Sequence, residues 1–88
     1  MKKQIIDLVK KMAGHNYLYL DSVLQVKKSP HSPCASIWAV AISPNDKIFL
    51  MDANEQWFEL EDIDINYSLV LSTLFQRVQT IYKNYEAA

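Results

Sequence analysis

Two runs of this chain refuse to alternate. Ile37 to Ile42 (IWAVAI) and Ile48 to Met51 (IFLM) are apolar at every position, and only the five residues from Ser43 to Lys47 separate them. A β-strand turns successive side chains to opposite faces of its sheet, so strands of this composition show apolar surface on both sides. Antiparallel sheets commonly give one face to a core and the other to water, and their strands then alternate. Here both faces need cover, and that requirement constrains every other part of the chain.

Turn chemistry predicts the pairing. In Ser43-Pro44-Asn45-Asp46, Pro44 suits the second turn position and Asp46 the left-handed residue that closes a three-residue hairpin loop. In Met51-Asp52-Ala53-Asn54, Asn54 suits the same left-handed role. The result is a three-stranded meander between Ser36 and Glu61 with Ile42 opposite Ile48, Val40 opposite Leu50 and Ile48 opposite Phe58. One face then carries Trp38, Val40, Ile42, Ile48, Leu50, Phe58 and Leu60. The other carries Ile37, Ala39, Ala41, Phe49, Met51, Trp57 and Glu59. A slip of one residue would exchange partners between these sets, yet both faces of the hairpin stay apolar in any register.

Helical spacing of Ile5, Leu8, Val9 and Met12 predicts an amphipathic helix over Lys2 to Ala13. Gly14 suits its left-handed C′ position, and Lys10 and Lys11 suit the negative end of its dipole. Tyr17 to Val26 reads as a strand in which Asp21-Ser22 is either a bulge or the N-cap of a short helix to Lys28. The proline- and serine-rich segment from Lys27 to Ser36 is an exposed loop. From about Ile65 to Tyr85, Tyr67, Leu71, Leu74, Val78, Ile81 and Tyr85 recur at alternating spacings of four and three. Leu69, Val70, Phe75 and Tyr82 widen that stripe into one that packs on a sheet, with Asp62 or Asp64 as the cap. The expected fold class is therefore α+β: residues 1–88 as a single domain with an N-terminal helix, an antiparallel meander of about four strands and a long C-terminal helix, the helices mainly on one face.

Helices of ~12 and ~20 residues are ~18 and ~30 Å long, enough to blanket one side of such a sheet. An exposed patch of Ala39, Ala41, Phe49, Met51 and Trp57 would then remain, larger than soluble monomers usually tolerate. Hiding ~400 Å² of it favours association by ~10 kcal/mol before the entropic cost of binding. The expected function is that of a small protein-protein interaction or structural module, a homodimer packed sheet to sheet through these five residues, since a two-fold interface needs only one self-complementary patch. A heterologous protein partner is a further possibility, and a closed monomer with one helix on each face is the competing expectation.

Charge narrows the classes of partner. The net charge is −1, but it is unevenly distributed: residues 1–28 carry six Lys against Asp7 and Asp21, residues 29–64 carry Lys47 against seven acids, and the remainder carries Arg77 and Lys83 against Glu86. The acids of the meander repel phosphate, which disfavours nucleic acid on the sheet despite its aromatics, and Lys2, Lys3, Lys10 and Lys11 read as a solvated helix face. Cys34 is the sole cysteine, which favours a reducing compartment and a cytoplasmic location. The opening MKKQIIDLVKKMAG has its apolar run broken by Asp7, Lys10 and Lys11, unlike an export signal. The longest apolar run, six residues, is far short of the ~20 that cross a bilayer, so no membrane association is expected.

Reactive chemistry is sparse. His31 and Cys34 in Ser-Pro-His-Ser-Pro-Cys are spaced to share a cation, or for the imidazole to activate the thiol, with His15 as the other histidine available. This pair defines the alternative class, a metal-binding or thiol-dependent enzyme, but four ligands are needed for a structural zinc. The acids Glu59, Glu61, Asp62 and Asp64 lack the glycine and oxygen spacing of a calcium loop and suit a helix start. A chain with one glycine cannot build a phosphate-cradling loop, and no cofactor is expected.

Overall fold

A computed structural model of the chain describes residues 1–13 and 17–87. Helix α1 spans Lys2–Met12. Strands β1 (Leu18–Val26), β2 (Ala35–Ile42), β3 (Ile48–Asp52) and β4 (Trp57–Glu59) follow, then a 3-10 turn (Leu60–Asp62) and helix α2 (Tyr67–Ala87). The strands form one antiparallel sheet in the order β1-β2-β3-β4. The fold is the α+β arrangement that the patterning predicts. Gly14, expected to end the first helix, and His15 lie outside the described residues.

Both helices cover one face. Ile5 and Val9 of α1 and Val70, Leu74 and Val78 of α2 join Leu20, Leu24, Val26, Ile37, Val40, Ile48, Leu50 and Phe58 of the sheet in a single cluster of buried side chains. The loop after β1 returns over the end of this layer, where the Lys28 ammonium lies 4.6 Å from the centre of the Phe58 ring and its carbonyl accepts the Asp64 N–H at 2.8 Å. Charge asymmetry along the chain is folded together in the same layer: Lys2 pairs with Glu61, and Lys10 pairs with Asp46.

The sheet departs from the predicted register in three places. First, Ile37 pairs with Asp52 but Ala39 pairs with Met51, so β2 holds one more residue than β3 at Ile37-Trp38. This bulge turns two consecutive side chains out of alternation. Ile37 joins the helix-covered core with no exposed surface, while Trp38 turns to the opposite face and keeps 45% exposure, which reverses the predicted places of both. Second, β1 gains extra residues between Tyr19 and Leu24, and of the two readings of Asp21-Ser22 the bulge is the one adopted. The Arg77 Nη1 donates to the carbonyls of Ser22 and Val23 at 2.8 and 3.2 Å, taking up acceptors that no longer serve the strand ladder.

Third, Phe58 pairs with Leu50 and not with Ile48. The first turn behaves as predicted, with Asp46 at φ 63°, but in the second the left-handed residue is Glu55 at φ 62° and not Asn54. The two loops are homologous in geometry: Ser43 N–H donates to Lys47 O, and Asp52 N–H to Gln56 O. The Asp52 carboxylate accepts the amides of Asn54 and Gln56, so the loop begins at Asp52, one residue later than expected. A two-residue slip preserves faces, and Phe58 still enters the core. At the start of α2 neither Asp62 nor Asp64 acts as the predicted cap. Asp62 belongs to the 3-10 turn, and Asn66, at φ 55°, passes the chain into the helix with its carbonyl accepting the Val70 N–H.

Candidate functional site

The helix-free face is built from rows of directly opposed residues. Tyr19, Ala39, Met51 and Trp57 form one row across all four strands, and Ala41, Phe49 and Glu59 form the next. All five residues of the predicted patch, Ala39, Ala41, Phe49, Met51 and Trp57, therefore lie on this face, together with Tyr17, Tyr19 and Trp38. The last three were not assigned to the patch from sequence.

Its two alanines decide its shape. A short side chain leaves a trough in the middle of a sheet, and larger neighbours can fold into it. The Tyr17 ring contacts the Trp57 ring at 5.6 Å between centroids, although one residue precedes β1 and the other lies on β4 at the opposite edge. Tyr17 also meets Tyr19 edge to face at 5.0 Å, their hydroxyls 3.0 Å apart. That shared hydrogen bond, ahead of burial and the Glu55 carboxylate, pushes the Tyr19 phenol above its ordinary value. Beneath this canopy Ala39 has no exposed surface and Met51 keeps 9%. The rings themselves stay half in water, with Tyr17 at 38%, Trp57 at 40% and Tyr19 at 60% exposed.

The rim carries charge of both signs. Lys47 pairs with Glu59 at 3.5 Å at one side, and Asp52 and Glu55 stand at the β3–β4 turn. On the other layer, Lys2 and Glu61 are linked by a hydrogen bond that raises the lysine's pKa and, together with the Tyr67 hydroxyl at 2.8 Å, holds the Glu61 carboxyl below its ordinary value.

His31 and Cys34 are both exposed. Among the described residues no hydrogen bond joins them, and no three His, Cys, Asp or Glu side chains cluster in a way that could hold a metal ion. Cys34 instead borders a shallow groove with Leu24, Leu69 and Val70 between β1 and α2. A cavity of about 380 Å³ between the helices is lined by Leu8, Phe75 and Tyr82 with Asp7, Lys83 and Glu86 around it. No helix among the described residues is long and apolar enough to cross a membrane. Comparison of the chain with protein-family models, curated proteins and solved structures gives no match.

Proposed function

We propose that this chain is a small interaction module of a reducing compartment such as the cytoplasm, and that its helix-free sheet face docks on the same face of a second copy. The carrying observation is the concentration of Tyr17, Tyr19, Trp38 and Trp57 on that one face, each between 38% and 60% exposed. Large aromatic side chains offer ~150–250 Å² apiece, so roughly 400 Å² of ring surface stands in water. Trp and Tyr are enriched at interfaces for this reason.

Two features favour face-to-face association over pairing of strand edges. Strand β4 is only three residues long, and β1 is broken by its bulge between Tyr19 and Leu24. Short and bulged edge strands resist edge-to-edge addition. The area is also informative. Two opposed faces of this size bury on the order of 1,000 Å² in total, at the lower limit for a specific interface, which suits a dimer in exchange with its monomer.

One observation favours a closed monomer as the second reading. The Tyr17–Trp57 contact over Ala39 and Ala41 already hides the deepest apolar surface of the face within one chain. Sedimentation equilibrium over a hundredfold concentration range separates the two. A rise from 10.2 kDa toward twice that mass, with quenching or blue-shift of Trp fluorescence, is the expected result. A constant 10.2 kDa with water-exposed Trp emission at the highest concentration overturns the dimer.

A further inference from the structure

At one corner of the helix-free face, where β3 runs into its turn toward β4, Tyr19, Trp38 and Met51 meet Asp52, Ala53 and Glu55 around a cleft of about 180 Å³. Its chemistry is narrow: two aromatic side chains, a thioether and the Glu55 carboxylate, with no Lys or Arg in the lining, the Asp52 side chain being turned by strand alternation toward the face of its partner Ile37. Trp38 is present because the β2 bulge turns it to this side. Asp52 has one carboxylate oxygen committed to the amides of Asn54 and Gln56, whereas the Glu55 carboxylate makes no hydrogen bond or ion pair among the described residues.

Several ligand classes fail on these facts. Phosphates and carboxylates would meet the negative charge of Glu55 and no cation. A calcium ion needs six to eight oxygen ligands and a magnesium ion near-octahedral oxygens, more than this corner supplies. Nucleotides and drug-sized molecules occupy pockets of ~300–1,000 Å³. A small organic cation meets none of these objections. Aromatic faces carry the negative lobe of a quadrupole and attract a diffuse, weakly hydrated positive charge, and nearby carboxylates add to that attraction.

We propose that this cleft binds a quaternary ammonium head group, either on a free choline-like molecule or on a trimethylated lysine side chain. Trp38 and Tyr19 supply the ring surfaces, Met51 the apolar floor, and Glu55 the compensating charge. Tyr19 and Trp38 are also two of the four rings of the proposed docking face, so a sheet-to-sheet dimer would cover this cleft and cation binding competes with association.

The test is a titration of the full chain, followed by amide and indole NMR, with choline, with its uncharged isostere 3,3-dimethylbutan-1-ol, and with Nε-trimethyl-lysine. Choline is expected to move the Trp38 indole and the Ala53 and Glu55 amides with millimolar saturation, and the isostere to leave them in place. Trp38→Leu and Glu55→Gln should each weaken binding ~3–5-fold, the size expected for a cation–π contact or an ion pair at an exposed site. Should Trp38→Leu prove unstable, Glu55→Gln, in an exposed turn, decides alone. Tighter binding of trimethyl-lysine assigns the natural source to a protein side chain, and tighter binding of choline to a free molecule. Equal shifts with the isostere, shifts spread equally to Trp57, or no saturable response overturn the proposal. The titration is run at a chain concentration where sedimentation shows only monomer, so that a monomer that binds choline keeps this site whatever the fate of the dimer at higher concentration, and a monomer indifferent to choline loses the site and leaves the dimer untouched.

Discussion

Leu50 and Met51 are neighbours on one strand and face opposite worlds. Leu50 points into the helix-covered layer and has no exposed surface; Met51 points the other way, toward the face where the Tyr17 and Trp57 rings meet. Both faces are apolar, but they are closed by different means. Branched aliphatics on the first face need a separate layer to cover them. On the second, alanines next to aromatics allow the large residues to lie down over the small ones, which covers the backbone and leaves ring surface in solution. A strand that is apolar on both sides therefore does not require two layers of helices. It requires either a second layer or a face with strong size contrast, and the latter remains adhesive.

The largest effect should come from comparing the two neighbours directly. Leu50→Ala removes a fully buried side chain from the helix-covered core and should cost ~2–5 kcal/mol. Met51→Ala should cost ~1–2 kcal/mol, because its surroundings are one side chain deep and can settle into the space. Urea unfolding of both variants measures the contrast. Equal losses would mean that the second face is as tightly packed as the first.

Ala39→Leu tests the canopy from beneath. Position 39 has no exposed surface, so added methyl groups must lift the Tyr17 and Trp57 rings off the sheet. Overpacking of this kind should cost ~1–3 kcal/mol and raise the accessibility of Trp57 to a fluorescence quencher. An unchanged quenching profile would show that the rings are not seated on that alanine.

The double-sided apolar pattern made the layer plan legible, because strand and helix periods were clear and one long helix could span only one face. Less legible were the features that depend on a single inserted residue. The bulge at Ile37-Trp38 exchanges two large apolar residues, and a run apolar at every position carries no alternation from which the exchange could be read. The second hairpin differs from the predicted one because Glu55, and not Asn54, holds the left-handed position. A signal for the observed loop was present: Ser43-Pro-Asn-Asp-Lys47 and Asp52-Ala-Asn-Glu-Gln56 both begin with a side-chain oxygen and place Asn third and an acid fourth. Tyr17, Tyr19 and Trp38 were missed as part of the candidate face because the canopy brings together residues from opposite edges of the sheet. Only the smallness of Ala39 and Ala41 hinted that rings could reach each other across it.

Trp57→Ser separates adhesion from folding. With 40% of Trp57 exposed and its ring against Tyr17, its loss should lower stability by ~1–2 kcal/mol, while a dimer that uses it on both sides of a two-fold axis should weaken ~10-fold or more. Sedimentation of the variant beside the parent reads the second quantity and chemical denaturation the first. Loss of stability without loss of association would assign Trp57 to the canopy alone.

The smallest lever acts on the helix-covered side only. Glu61 joins α1 to the start of α2 through Lys2 and Tyr67, and the lysine first, the tyrosine hydroxyl second, hold its carboxyl below the ordinary value of 4.5. The folded chain thus binds this proton less readily than the unfolded chain, so the contribution is present above pH ~4.5 and disappears as the pH falls through the lower folded value. Both partners of the ion pair are nearly half exposed, with side-chain accessibilities of 43% and 46%, and solvent screening limits the effect to under ~1 kcal/mol. Denaturant midpoints measured for the parent and for Glu61→Gln should differ at neutral pH and converge in acid. A gap of the same size at both ends of the range would mean that Glu61 acts through packing and not through its charge. A gap that widened in acid would reverse the assigned direction of its shift.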